Sequence, residues 1–248
     1  MNKFSYKEYK KIISYYLNNL KITKLQNIKP NNKSFFFIRH DVEFSTLRAL
    51  KMAKIENKEL GVRANYFFHV KSNSYNLLSN KNIELVKQIQ KLGHKIGLHF
   101  NYTGPNNKKY IKLELLTQIS ILKKYFKEVL IYYTPHRPST IKSIQKHKGK
   151  KFINLYSKEY FTPFTEIKDD YSKPVFLSDS RRSWRYIHPL KLDLKKFRKV
   201  QLNFHPDVWS TSGLNNFRNY SNLINDSKKI FKQSLIDETD NLKKVIKL

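Results

Sequence analysis

"FFFIRHDVEF", residues 35–44, runs four apolar residues straight into Arg39, His40, Asp41 and, two places on, Glu43. A hydrophobic strand that ends on an imidazole and two carboxylates is either a surface turn or the mouth of an α/β enzyme. In such enzymes the reacting groups sit at the carboxyl ends of parallel strands. An acid directly after a buried strand is costly unless it is paired or metal-bound, so Asp41 is the residue least expected to be inert.

The neighbouring segments repeat the pattern. The strand at 34–39 is followed by "FSTLRALKMAKIENKEL" (44–60), whose Leu47, Leu50 and Ile55 predict an amphipathic helix closed by Gly61. "RANYFFHV" (63–70) reads as a second strand. "NKNIELVKQIQKLG" (80–93) reads as a helix stopped by Gly93, and "HKIGLHF" (94–100) as a third strand. A Gly-Pro loop leads to a helix over 108–126 and a strand over 128–134 that ends in "PHRPS". Further strands are expected at 175–180 and 200–209, with helices at 5–20 and about 214–234; 147–175 has no clear period. The strands are apolar throughout rather than alternating, as strands buried on both faces are, which predicts a parallel sheet or barrel. With no internal repeat or linker, one domain is expected over 1–248.

Bulk composition narrows the function classes. The chain has 248 residues, 40% of them hydrophobic, which suffices for a core. No apolar run approaches the ~18 residues of a membrane span. The first twenty residues interleave Lys and Tyr with their apolar residues, unlike a signal peptide, so a cytoplasmic location is expected. There is no Cys, so a metal would have to be held by His and carboxylate. The formal net charge is +30, with 40 of the 49 basic residues being Lys spread along the whole chain. Without a basic arm or helix, specific nucleic-acid binding is not expected. The charge instead suits anionic partners such as polyanionic glycans, sugar phosphates or membrane headgroups.

Polar clusters recur at the same end of successive strands: His40/Asp41, His94/His99, His136/Arg137, Asp179 and His205. A barrel would gather these ends into one pocket. Taken in order, "FIRHDVE", "RANYFFHV", "GHKIGLHF", "TPHRPS", "FLSDSRRSW" and "LNFHP" resemble the motif series of the polysaccharide deacetylase superfamily (NodB-like, carbohydrate esterase family 4). They are most similar to its branch with an Arg-His-Asp-Val-Asp opening, and the resemblance covers roughly residues 34–209. It implies a distorted (β/α) barrel holding one divalent metal, most often zinc, and hydrolysis of an acetyl group on a sugar or polysaccharide in surface-polysaccharide or lipopolysaccharide biosynthesis.

The resemblance places His40 on the family's general base, Asp41 and His99 on metal ligands, and Arg137 on the arginine that orients the base. It places His205 on the histidine that protonates the leaving amine, Asp179 on the acid that tunes it, and Trp184 on the aromatic wall beside it. The second metal histidine would fall on Thr103, a departure that leaves the third ligand open among His40, His94, Glu43 and His136. An Asp–His pair is chemically apt, since the carboxylate fixes the tautomer and raises the imidazole pKa.

Bland alternatives accompany these roles. His94 follows a helix-ending Gly and reads as a turn cap; His69, His147 and His188 read as strand-end or loop residues; "PHRPS" is equally a rigid turn. "RRSWR" (181–185) is either a solvated run or, through Arg181 and Arg185 around the indole, a grip for an acidic glycan. An inactive barrel that binds glycan, favoured by Thr103, and a hydrolase of another non-peptide C–N bond are the alternative functions.

Overall fold

The computed structural model describes residues 3–29, 31–137, 151–184 and 186–239. Seven strands, β1 (Phe35–Val42), β2 (Asn65–Phe68), β3 (Lys95–Phe100), β4 (Val129–Pro135), β5 (Ile153–Asn154), β6 (Val175–Ser178) and β7 (Lys199–Phe204), form one sheet. Its order is β5-β4-β3-β2-β1-β7-β6, and every pairing is parallel. The helices are α1 (Tyr6–Asn19), α2 (Thr46–Lys58), α3 (Asn80–Lys91), α4 (Lys108–Tyr125), the single turn α5 (Phe164–Ile167) and α6 (Asn216–Glu238).

This is a distorted, open (β/α) barrel, as expected. β5 and β6 are its edges, and the gap between them is bridged from the intervening segment. Pro163 pairs with Phe176, and Gln201 donates to the carbonyls of Leu155 (3.4 Å) and Tyr160 (2.7 Å). The unassigned stretch before residue 175 thus contributes β5, α5 and this bridge.

Two cores follow from strand alternation, in which successive side chains point to opposite faces. Phe36, Ile38, Leu98, Leu202 and Phe204 face outward and pack with Tyr9, Ile12, Leu50, Ala53, Val86 and Leu122 of the surrounding helices. Phe35, Phe37, Phe67, Tyr132, Leu155 and Tyr160 plug the barrel floor with Leu25 and Ile28. Gly97 faces this interior. A Cβ there would lie 2.6 Å from Cε1 of Phe67 and 3.1 Å from the Tyr132 carbonyl, so only glycine fits.

Helix starts use side-chain oxygens. Ser5, Ser45, Ser79, Asn107 and Asn215 accept from the first-turn amides of α1, α2, α3, α4 and α6. No helix among the described residues is long and apolar enough to cross a membrane.

Candidate active site and metal centre

β1 continues three residues beyond the expected end, and its alternation sorts the opening motif. Arg39 and Asp41 point into the barrel, as does Glu43 just past the strand, whereas His40 points out toward the helices. Arg39 is fully buried and clamps Asp41 with two hydrogen bonds, Nε to Oδ1 at 2.8 Å and Nη2 to Oδ2 at 2.6 Å. Its Nη1 donates to Gln201 at 2.9 Å, and its guanidinium lies 5.0 Å from the Tyr156 ring centroid. Thr134 and Asn203 each add a hydrogen bond of 3.2 Å to Asp41. Burial alone would raise the Asp41 pKa, but Arg39, with His99, holds it well below the usual carboxylate range.

Above this layer, Glu43, His69, His99 and His136 offer one ligand atom each, all within 4.8 Å of one another. Glu43 Oε1 lies 3.3 Å from Nε2 of His99 and 3.6 Å from Nε2 of His136. The His69 ring stacks on that of His99 with centroids 4.4 Å apart.

The Nδ1 atoms of all three imidazoles face oxygen acceptors. His99 Nδ1 meets the Thr134 carbonyl at 3.0 Å, His69 Nδ1 meets the His99 carbonyl at 2.9 Å, and His136 Nδ1 meets Oδ1 of Asn101 at 3.3 Å. A carbonyl oxygen only accepts, so each Nδ1 carries a hydrogen and each Nε2 is the atom turned toward the centre. Burial, with the charges of His99 and His136, pushes His69 well below its ordinary pKa. Burial and His99 lower His136 to about 4, and both rings are neutral at physiological pH. Glu43 is held at about 2, against its burial, by the His99 hydrogen bond and the His205 charge. Three imidazoles held through Nδ1 by second-layer acceptors, with Nε2 turned inward beside an ionised carboxylate, are the donor set that a divalent cation such as zinc takes, so these residues fit a metal.

An Asp–His pair adjoins this cluster. Asp179 Oδ1 accepts from Nδ1 of His205 at 2.7 Å and from its backbone amide at 3.0 Å, while Oδ2 accepts from the Trp209 indole at 2.6 Å. Burial would lower the imidazole pKa. The hydrogen bond and charge of Asp179, aided by Glu43 and Asp41, raise it to about 10, so His205 carries a proton at neutral pH. Its Nε2 points at Glu43 Oε1, 3.8 Å away. The next acid, Asp207, is raised to about 7, chiefly by burial, and its Oδ1 is buried without a hydrogen-bond partner.

Several expected roles move. His40 cannot serve as base from where it lies. It is fully buried on the outer face, 2.6 Å from Glu56 Oε1, and its ring stacks on Tyr66 at 4.2 Å. Glu56 also accepts from Tyr9 and, at 2.6 Å, from Tyr66. Asp41 is at the centre but its carboxylate is already saturated. Its nearer oxygen is 3.9 Å from His99 Nε2, and it stands outside the group of four that can hold an ion. The guanidinium bonded to Asp41 is that of Arg39, while Arg137 is exposed next to His136 in a left-handed conformation with φ 46°.

Trp184 packs on the outer face with Phe4, Phe204 and Trp209, so the indole that touches the Asp–His pair is that of Trp209. Arg181 is exposed, whereas Arg182 is buried and donates to the Leu214 carbonyl. Arg185 and His147 lie outside the described residues. His94, whose Nε2 faces the Ala53 carbonyl at 3.0 Å, joins α2 to the sheet. Thr103 is exposed in the loop after β3, away from the inward rings.

His69 and Trp209 were missed by the sequence reading. His69 lies two residues after Phe67 and so on the inward side of β2, a parity that a strand apolar on both faces does not reveal in the sequence.

No family model matches the chain, and no curated protein matches it. Solved structures do resemble it at low identity, and those named here are carbohydrate esterase family 4 proteins or a deacetylase. A mutant of a family 4 pseudoenzyme with restored activity is 14% identical, covering 81% of this chain and 64% of that chain, with a TM-score of 0.42. A family 4 carbohydrate esterase from Bacillus anthracis is 16% identical over 88% and 84%, with a TM-score of 0.40. The chitin deacetylase of the fungal pathogen Colletotrichum lindemuthianum is 12% identical over 77% and 81%, with a TM-score of 0.42.

Proposed function

We propose that this chain is a single-domain, metal-dependent hydrolase that removes an acetyl group from an N-acetylated sugar, acting in the cytoplasm in bacterial surface-polysaccharide or lipopolysaccharide biosynthesis. The observation that carries the reading is the convergence of Glu43, His69, His99 and His136 beside a protonated His205. The motif order over residues 34–209 supports the sugar substrate.

His69, His99 and His136 would hold the ion, zinc in this reading, with Glu43 completing the set or accepting a proton from water. When bound, the metal supplies Lewis-acid polarisation of an acyl oxygen and a water of lowered pKa. The Thr134 and His99 carbonyls accept from Nδ1 of His99 and His69, which turns each Nε2 toward the ion. The Arg39–Asp41 pair fixes Asp41 as a permanent negative charge behind His99. His205 Nε2 carries the proton that a leaving amine requires, and Asp179 returns the imidazole to that state after each transfer.

Acetate release from N-acetylglucosamine oligomers, measured with elemental analysis of the purified protein, tests the reading. A metal-free protein that stays inert after zinc, cobalt or nickel addition would refute it. If another non-peptide C–N bond were the substrate, the metal would be present and acetate absent. Exposed Arg181 favours anionic glycans, and equal turnover of neutral and acidic substrates at several salt concentrations would remove that preference.

A second reading, a glycan-binding barrel without turnover, draws on the saturation of Asp41 by Arg39, Thr134 and Asn203, which leaves it no lone pair for a water. Under that reading Glu43→Gln would leave glycan affinity intact and no acetate would be released by either form.

A further inference from the structure

The two most exposed large apolar side chains among the described residues, Phe217 and Phe231, both lie on α6. Phe217 is 81% exposed, Ile224 56% and Phe231 66%, with Tyr220 at 40%. Phe217, Ile224 and Phe231 are seven residues apart, so they drift by only about 20° per step and form one continuous stripe down the helix. The 23 residues of α6 extend about 35 Å. On its other sides the helix is anchored by buried Asn219, Leu223 and Ile236. Arg48 of α2 bonds Asn219 at 3.0 Å and Asp226 at 3.4 Å. The stripe is therefore the face that α6 does not use to pack.

Charge identifies what covers it. Lys228 and Lys232 line one edge of the stripe on the helical wheel and Glu238 falls near the other at the end of the helix, while Asp226 is turned to the opposite side and engaged by Arg48. The whole chain carries +30. A strip of Phe, Ile and Tyr edged by Lys on a strongly basic protein matches the boundary between anionic headgroups and acyl chains. Duplex nucleic acid would use the lysines but has no use for a row of exposed Phe and Ile, and a single strand stacked on the rings would need a basic groove to track its backbone. A second copy would set Lys228 and the serines at 221, 227 and 234 against themselves, a poor seam for a coiled coil.

We propose that α6 is a peripheral membrane-docking helix that seats the protein on an anionic lipid surface through Phe217, Ile224 and Phe231. The helix begins shortly after the turn that follows His205, and Tyr220 is close enough to Asp207 and Glu43 to feel their charges. Docking by this face therefore holds the catalytic rim near headgroup level. Binding is read without turnover, so the proposal stands or falls independently of the hydrolase reading.

Co-sedimentation of the full chain with phosphatidylcholine vesicles, with and without one third phosphatidylglycerol, tests it. Binding is expected to the anionic vesicles only and to weaken as salt rises. Phe217→Ser, Ile224→Ser and Phe231→Ser together should lower the partition coefficient by about a hundredfold or more. Lys228→Glu with Lys232→Glu should lower it by about tenfold or more. Unfolding temperature verifies that the variants fold. As a second measurement, fluorescence of Phe231→Trp should be quenched by brominated anionic lipid, since that side chain enters the acyl boundary. Serine variants that fold and bind vesicles like the parent would overturn the proposal. So would absence of quenching, or a solution dimer that the serine variants split while vesicles stay unbound.

Discussion

Replacing Asp179 by Asn keeps the shape of the Asp–His pair and removes its charge. Asp179 receives the His205 imidazole at 2.7 Å, the His205 amide and the Trp209 indole, so the carboxylate has no other charged partner among its hydrogen bonds. The imidazole moves from an ordinary 6.5 to about 10, a preference for the protonated ring of about 5 kcal/mol. Asp179 supplies most of it, with Glu43 and Asp41 adding smaller parts. Without that charge, burial returns the ring to about 7 or below. At pH 8 its protonated fraction would fall from about 99% to about 10% or less.

Proton NMR titration of metal-free protein should show the His205 ring with a midpoint near 10 in the parent, and near or below about 7 in Asp179→Asn. Acetate release at pH 8 should fall about tenfold or more in the variant, with partial recovery at pH 6. Because the folded pKa is raised, the pair's stabilisation is complete below about 6.5 and is lost as pH rises through about 10. The variant should therefore lose most stability at pH 6 and least above pH 10. A parent ring that titrates near 6.5, or a variant ring still near 10, would refute the assignment of His205 as a protonated acid.

Other perturbations separate the layers of the site. Thr134→Val removes the hydroxyl shared by His99 Nδ1 (2.8 Å) and Asp41. It should weaken metal binding by about ten- to a hundredfold, measured by competition with a chromogenic chelator. Glu56→Gln leaves His40 and two tyrosines around a neutral amide in a fully buried spot. It should cost about 3–5 kcal/mol in urea denaturation, and a loss below about 1 would show that the network contributes little. The Glu56 pKa is lowered, so its contribution is present above about 4.5 and fades in more acid solution. Gly97→Ala forces a methyl against Phe67 and the Tyr132 carbonyl. It should destabilise the barrel by about 1–3 kcal/mol, seen as a lowered Tm.

The parallel barrel was legible in the chain because strands buried on both faces must be apolar throughout, and because glycines and prolines punctuate the repeats. Expected and observed elements agree closely for α1 to α4 and for β2, β3 and β4. Polar residues recur after those strands, and the resemblance to the deacetylase motif series pairs Asp179 with His205, whose facing atoms lie 2.7 Å apart. Face assignment required tertiary structure. A strand's two sides differ by one residue, and with both sides apolar the sequence carries no alternation to show which side is inside. Hence the motif series suggests a base at His40, which faces Glu56, and the strand pattern a mere strand end at His69, which faces His99. Likewise Trp184 and Trp209 are equally plausible neighbours of Asp179 until the turn after β7 places one of them there. The amino-acid order determined that a polar ring would crown a parallel barrel; only the closure of the sheet, with its inward and outward parity, decided which imidazoles and carboxylates share a point in space.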